Sequence, residues 1–107
     1  DQWRSPTWTR DFSAALAGFV SGNYPNGIYH LANEVAPGEA TVMDVLEVIR
    51  EHLGPPPGEI EIRQVPLREF FKIPRAPSNV LINTKLPKLR PWREALREYL
   101  NLRYPPV

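Results

Sequence analysis

At 107 residues, with 42% apolar side chains and a net charge of +1, the chain holds one domain at most. The absence of cysteine excludes disulfides and thiolate metal sites and favours a reducing, cytoplasmic setting. No apolar run approaches the roughly 18 residues of a membrane span, no signal peptide is visible, and the start at Asp1 rather than Met leads us to expect either that something upstream was removed or that the sequence begins mid-protein.

Three helices and two short strands are expected. In the first helix Phe12, Ala15, Leu16, Phe19 and Val20 recur at the spacing of one buried face. Thr9 or Asp11 is placed to cap its start, and Gly22 stands where a left-handed C-terminal residue is wanted. The first strand is Gly27–Leu31, after a Pro25-Asn26-Gly27 turn. Along it His30 shares a face with Ile28, so His30 is expected to be a packed core histidine, with Tyr29 opposite. The second helix carries Val42, Val45, Leu46, Ile49 and Leu53, with Thr41 and Asp44 as a capping box and Gly54 as its stop. Pro55-Pro56-Pro57 forms a stiff turn into the second strand, Glu59–Arg63, where Ile60 and Ile62 alternate with charges. Val65 to Asn83 reads as a loop with one short helical turn. The third helix repeats the apolar spacing at Trp92, Ala95, Leu96, Tyr99 and Leu100, with Pro91 suited to its first position and Trp92 to the core.

Charge is divided along the chain. Residues 1–62 carry three basic and nine acidic residues, and residues 63–107 carry ten basic and three acidic. Either two solvated, oppositely charged faces lie near each other, or the basic half meets an anion such as a sugar diphosphate. The basic residues are spread out rather than clustered with aromatics, which argues against nucleic acid. Arg75 is the candidate anion ligand, because a planar guanidinium grips a diphosphate through two hydrogen bonds. Ser78 and Asn79, in the same proline-bounded loop, can add neutral hydrogen bonds, so Arg75, Ser78 and Asn79 form the candidate substrate-binding set. Lys85 and Lys88 read as surface charges and Asp11 as a cap or a partner of a nearby backbone amide. Trp3 and Trp8 flank Pro6 and suit either packing against a partner or ligand stacking. His30 and His52 lack metal-site spacing, and no metal or catalytic residue is predicted.

Several stretches stand in a register that resembles one family. These are Asp1-Gln2 with Ser5-Pro6-Thr7 and Asp11, Gly27-Ile-Tyr-His-Leu-Ala-Asn33, Thr41 with its helix, and Glu69-Phe70. Pro74-Arg75, Val80-Leu81, Lys85-Leu86 and Leu89-Arg-Pro-Trp-Arg-Glu-Ala-Leu96 follow in order. Together they resemble the C-terminal third of the dTDP-4-dehydrorhamnose reductases, which are extended short-chain dehydrogenases. The stretch from Ser78 to Leu100 is similar to the closing segment of that family. The chain departs from the family pattern at Arg75-Ala76-Pro77-Ser78-Asn79 and at Ile82.

The resemblance implies an α/β parent protein, of which residues 1–107 are the C-terminal substrate-binding lobe, an α+β piece without the Rossmann core. It implies a parent that reduces the 4-keto group of dTDP-4-dehydro-L-rhamnose to dTDP-L-rhamnose with NADPH or NADH bound by the N-terminal Rossmann domain. This sequence has no Gly-x-Gly-x-x-Gly and no Tyr-x-x-x-Lys. The chain alone is therefore expected to bind no cofactor, to be inactive, and to expose apolar surface around Trp3, Trp8, Phe12 and Phe19. The implied partners are a dTDP-sugar and the Rossmann domain, with a homodimer left open and neither nucleic acid nor membrane. A non-catalytic relative, similar to the regulatory subunit of methionine adenosyltransferase, and a free-standing interaction module are the competing expectations.

Overall fold

A computed structural model describes residues 2–54, 63 and 78–105. Within them the expected three helices form: α1 over Thr9–Ser21, α2 over Val42–Leu53 and α3 over Trp92–Arg103. There is no sheet among the described residues, and only isolated bridges join extended segments. The described chain is thus an α-rich unit without a Rossmann core. No described helix is long and apolar enough to cross a membrane.

The core lies between α2 and α3, which pack on one another. Ala40, Val48, Trp92 and Leu100 are buried in it, with Val35, Val45, Ile49 and Leu96 partly buried around them. The buried side of α2 is turned from the expected stripe. Val48 is its buried residue, while Val42 and Leu53 at the two ends are exposed. The cause is the direction in which α3 lies, since Val45, Val48 and Ile49 face that core and His52 Nε2 lies 2.6 Å from the Tyr104 carbonyl oxygen at the end of α3.

The start of α2 is built as expected. Thr41 Oγ1 accepts from the Asp44 amide at 3.3 Å, and Asp44 Oδ2 accepts from the Thr41 amide at 2.9 Å, so two otherwise orphaned N–H groups are satisfied reciprocally. That hydrogen bond from the Thr41 amide is the foremost reason that the Asp44 carboxyl lies below its ordinary range. Thr41→Ala is expected to lower stability by about 1 kcal/mol, as loss of an N-cap usually does, with urea midpoints as the measurement. An unchanged midpoint would mean that the box adds nothing beyond solvation. At the other end Gly54 takes φ 83°, a conformation that glycine adopts without steric cost. Ala40 also has positive φ, at 66°, although it carries a side chain. Its methyl group is fully buried in the core, and its carbonyl oxygen accepts from the Arg4 amide at 3.1 Å.

α3 has no side-chain cap; Pro91 precedes its first turn as the N-cap rather than occupying the first helical position. Main chain supplies the missing partner. The Trp92 amide donates to the Glu34 carbonyl oxygen at 3.0 Å, and the Glu34 amide donates to the Arg90 carbonyl oxygen at 3.1 Å.

α1 departs most from expectation. It has no buried residue; Phe12 and Leu16 are exposed, and Val20 is 75% exposed. An exposed apolar patch is thus present, though Trp3, Trp8 and Phe19 are half-buried rather than open. Neither Thr9 nor Asp11 caps the helix, because Trp8 is the N-cap and makes no side-chain cap bond. Gly22 is not left-handed: its φ is −82°, and its amide donates to the carbonyl oxygens of Gly18 and Phe19. Gly27–Leu31, expected as a strand, forms no ladder, because no neighbouring segment among the described residues pairs with it. His30 is exposed, not packed, for the same reason: nothing described covers its side of the segment. Glu59–Ile62 of the second expected strand, the Pro55–Pro57 turn and positions 65–77 of the loop lie outside the described residues.

Candidate functional site

The segment from Gln2 to Trp8 lies against several other stretches of the chain. Trp3 bridges to Thr41 on one side and to Ser78 on the other. The Asn79 amide donates to the Trp3 carbonyl oxygen at 2.8 Å, and the Leu81 amide donates to Ser5 Oγ at 2.7 Å. Two of the three expected ligand residues are therefore held along this segment. Ser78 and Asn79 are both exposed; Ser78 Oγ accepts only a long 3.4 Å bond from the Val80 amide, and the Asn79 side chain has no partner among the described residues. Arg75 lies outside the described residues. Beside them the Trp3 indole N–H is buried without a partner among the described residues.

Against the Trp8 end of the segment sits Asn33, 1% exposed, which ties three stretches of chain together. Its Oδ1 accepts from the Trp8 amide at 2.9 Å, and its own amide donates to Thr7 Oγ1 at 3.2 Å. Its Nδ2 donates to Asp11 Oδ2 at 2.8 Å and to the Arg90 carbonyl oxygen at 3.2 Å. Arg90 closes the network by donating from Nε and Nη2 to the two Asp11 carboxylate oxygens at 2.9 and 3.1 Å, and from Nη1 to Glu98. Arg90 foremost, with Asn33, holds the Asp11 carboxyl below its ordinary range against the opposing effect of burial. Asp11 and then Glu98 raise the Arg90 guanidinium above its ordinary range. Asp11 is thus a fixed anion in a structural ion pair and not a helix cap.

Of this network Thr7, Trp8 and Asn33 line an open cavity of about 250 Å3, together with Pro6, Trp92, Leu96 and Tyr99 among others. Trp8 and Tyr99 meet edge to face at 6.0 Å between ring centres. The guanidiniums of Arg10 and Arg90 lie 5.5 and 5.6 Å from the Trp8 ring centre. Such walls can stack on a planar or apolar ligand face, and Arg10 adds a cation at the rim. Ser78 and Asn79 do not line the cavity. The structure places them at the Trp3 end of the segment, whereas the cavity opens at the Trp8 end.

Sequence reasoning missed Asn33, Arg90 and Tyr99. Asn33 closes the Gly27–Asn33 stretch directly after the apolar Leu31 and Ala32, which is the signal that could have marked it as a buried hydrogen-bonding hub. Arg90 was concealed among ten basic residues of similar appearance. Lys85 is exposed as expected, yet its Nζ donates to the Ile28 carbonyl oxygen at 2.9 Å and lies 5.2 Å from the Tyr29 ring centre. Among the described residues no group of three or more His, Cys, Asp or Glu side chains could hold a metal ion.

The chain is similar to the spore coat polysaccharide biosynthesis protein SpsK of Bacillus subtilis (strain 168), at 37% identity over 108 residues. The match takes in 96% of this chain but only 35% of that protein, so the chain spans about a third of its relative's length. The relationship is therefore to one part of a polysaccharide-biosynthesis protein. No protein-family model matches the chain, and no solved structure does.

Proposed function

We propose that this chain is the nucleotide-sugar-binding C-terminal part of a dTDP-4-dehydrorhamnose reductase. The observation that carries the reading is the 37% identity over 96% of the chain to a protein of polysaccharide biosynthesis. The ordered motifs from Asp1-Gln2 to Leu89–Leu96 point the same way. The parent enzyme reduces the 4-keto group of dTDP-4-dehydro-L-rhamnose. A nicotinamide cofactor, bound by the Rossmann part of the parent, supplies the hydride. The role of the present residues is to hold and orient the sugar nucleotide. Arg75 meets the diphosphate, and Ser78 and Asn79 supply neutral hydrogen bonds. The exposure of Ser78 and Asn79 beside Trp3, with the Asn79 amide side chain unengaged among the described residues, supports that assignment.

The polypeptide encoded by the whole gene is expected to oxidise NADPH or NADH with dTDP-4-dehydro-L-rhamnose, whereas this chain alone turns over nothing. Binding of the dTDP-sugar without turnover by the gene-length protein would replace the reductase reading with that of a non-catalytic binding subunit. In the gene-length enzyme Arg75→Ala is expected to raise KM for the sugar nucleotide by about ten- to a hundredfold, since hydrogen bonds to a charged group are worth roughly 1.5–3 kcal/mol. An unchanged KM would remove Arg75 from the site, and a large fall in Tm would make it a structural residue.

A further inference from the structure

We propose that Asn26-Gly27 is a self-modifying site. The Gly27 main-chain nitrogen closes on the Asn26 side chain and leaves isoaspartate or aspartate at position 26, and the Lys85 ammonium is the partner of the new carboxylate. The chain has six asparagines, and Asn26 alone among them is followed by glycine. Pro25, Asn26 and Gly27 are all exposed. Neither the Asn26 side chain nor the Gly27 amide has a hydrogen-bond partner among the described residues. Asn33 and Asn83 are buried with their side chains engaged. Asn23, Asn79 and Asn101 precede Tyr24, Val80 and Leu102. A side chain on the following residue hinders the approach of its nitrogen and narrows its backbone freedom, and glycine does neither.

The chemistry needs no reagent but water. The Gly27 nitrogen gives up its proton to solvent and attacks Cγ of Asn26. The N–Cγ bond forms, the Cγ–Nδ2 bond breaks, and Nδ2 takes a proton from solvent and leaves as ammonia. One water then opens the cyclic imide. Attack at Cγ gives aspartate; attack at the main-chain carbonyl carbon gives isoaspartate, in which the chain runs through Cβ and Cγ. Nothing is oxidised or reduced, and a neutral amide becomes a carboxylate.

The surroundings give the product a partner. A Cβ placed on Gly27 would lie 3.7 Å from Lys85 Nζ, so this ammonium stands beside the reacting peptide. Its partners among the described residues are the Ile28 carbonyl oxygen, at 2.9 Å, and the Tyr29 ring. Neither is an anion, so a carboxylate formed one residue away competes for a cation that no described acid holds. Isoaspartate also lengthens the main chain inside the loop that the Tyr29 hydroxyl closes on the Pro25 carbonyl oxygen. The change thereby reaches Tyr29 and its packing on Phe19. The proposal does not depend on the reaction catalysed by the parent protein.

The test incubates the gene-length polypeptide at neutral pH, digests it, and follows its asparagines by mass spectrometry with fragmentation that separates isoaspartate from aspartate. Asn26 is expected to convert at least roughly tenfold faster than the exposed Asn23 and Asn79. Gly27→Ala should slow conversion by about tenfold or more with Tm unchanged, because Gly27 has no positive φ and the added Cβ meets its neighbours at ordinary contact distance. Equal conversion of Asn26 and Asn23 would overturn the proposal. So would an unchanged rate in Gly27→Ala, which would make the reaction direct hydrolysis of the side chain by water. The new carboxyl of Asn26→Asp, followed by NMR, should titrate at lower pH than the same carboxyl in Asn26→Asp combined with Lys85→Met. Equal titration in the two would remove Lys85 from the site.

Discussion

Trp92→Ala is expected to remove most of the stability of the α2–α3 unit, by about 3–5 kcal/mol, the range for emptying a buried large aromatic site. Trp92 is 1% exposed and is the largest of the fully buried side chains. It packs in one core with Ala40, Val48 and Leu100, so its removal takes material from the contact between both helices. A small unit has few other residues to compensate, and total stabilities are only about 5–15 kcal/mol. The indole N–H is buried and has no hydrogen-bond partner among the described residues. Phenylalanine would therefore lose volume but no hydrogen bond, and Trp92→Phe should cost distinctly less than Trp92→Ala. Urea unfolding followed by far-ultraviolet circular dichroism checks both. Equal losses for the two variants would show that the indole N–H contributes to stability after all, and a small loss for alanine would place the core elsewhere.

The helices were legible because their apolar spacing is a local property. The capping box at Thr41 and Asp44 and the stop at Gly54 are likewise written within a few neighbouring residues, and they form as read. What local sequence does not encode is which neighbour a face meets. The stripe of α2 was read in the right helix, but its buried side turned toward Val48, because α3 lies there. The same limit explains Gly27–Leu31, since a strand needs hydrogen-bonded company that propensity cannot supply. It also explains His30, which was assigned to a core through alternation with Ile28, yet Ile28 itself is exposed. Asp11 shows a third case. A carboxylate at a helix start reads as a cap, but Arg90, 79 positions later in the chain, claims it through two hydrogen bonds. Of the candidate ligand residues, Ser78 and Asn79 were legible as exposed loop groups. The hub at Asn33 was not, because its partners, Thr7, Trp8, Asp11 and Arg90, are scattered in sequence.

Asn33→Leu is expected to cost about 2–6 kcal/mol, because it strands at least two part-buried groups at roughly 1–3 kcal/mol each. The groups are the Trp8 amide, which donates to Asn33 Oδ1, and the Arg90 carbonyl oxygen, which accepts from Asn33 Nδ2. Leucine fills a similar volume, so the loss would report on hydrogen bonding rather than on a cavity. The network also makes the fold acid-sensitive in a definite direction. Arg90 first, and Asn33 after it, hold the Asp11 carboxyl below its ordinary value of 3.8 in the folded chain. A depressed carboxyl contributes stability that is fully present above the unfolded value and disappears as pH falls through the folded one. The wild-type chain should therefore lose stability as pH drops below about 4, with Asp44, held low by the Thr41 amide, contributing in the same window. Asp11→Asn should be less stable than wild type at neutral pH, because Arg90 loses its anion, and it should lose less on acidification. Asn33→Leu should fall between them, since it leaves the ion pair but removes one of the bonds that favour the charged form. Thermal melts at pH 7 and pH 3 on the three proteins decide the matter. If Asp11→Asn and wild type lose equal stability between those pH values, the Asp11–Arg90 pair is not what the acid dissolves, and the hub at Asn33 is held by its neutral hydrogen bonds alone.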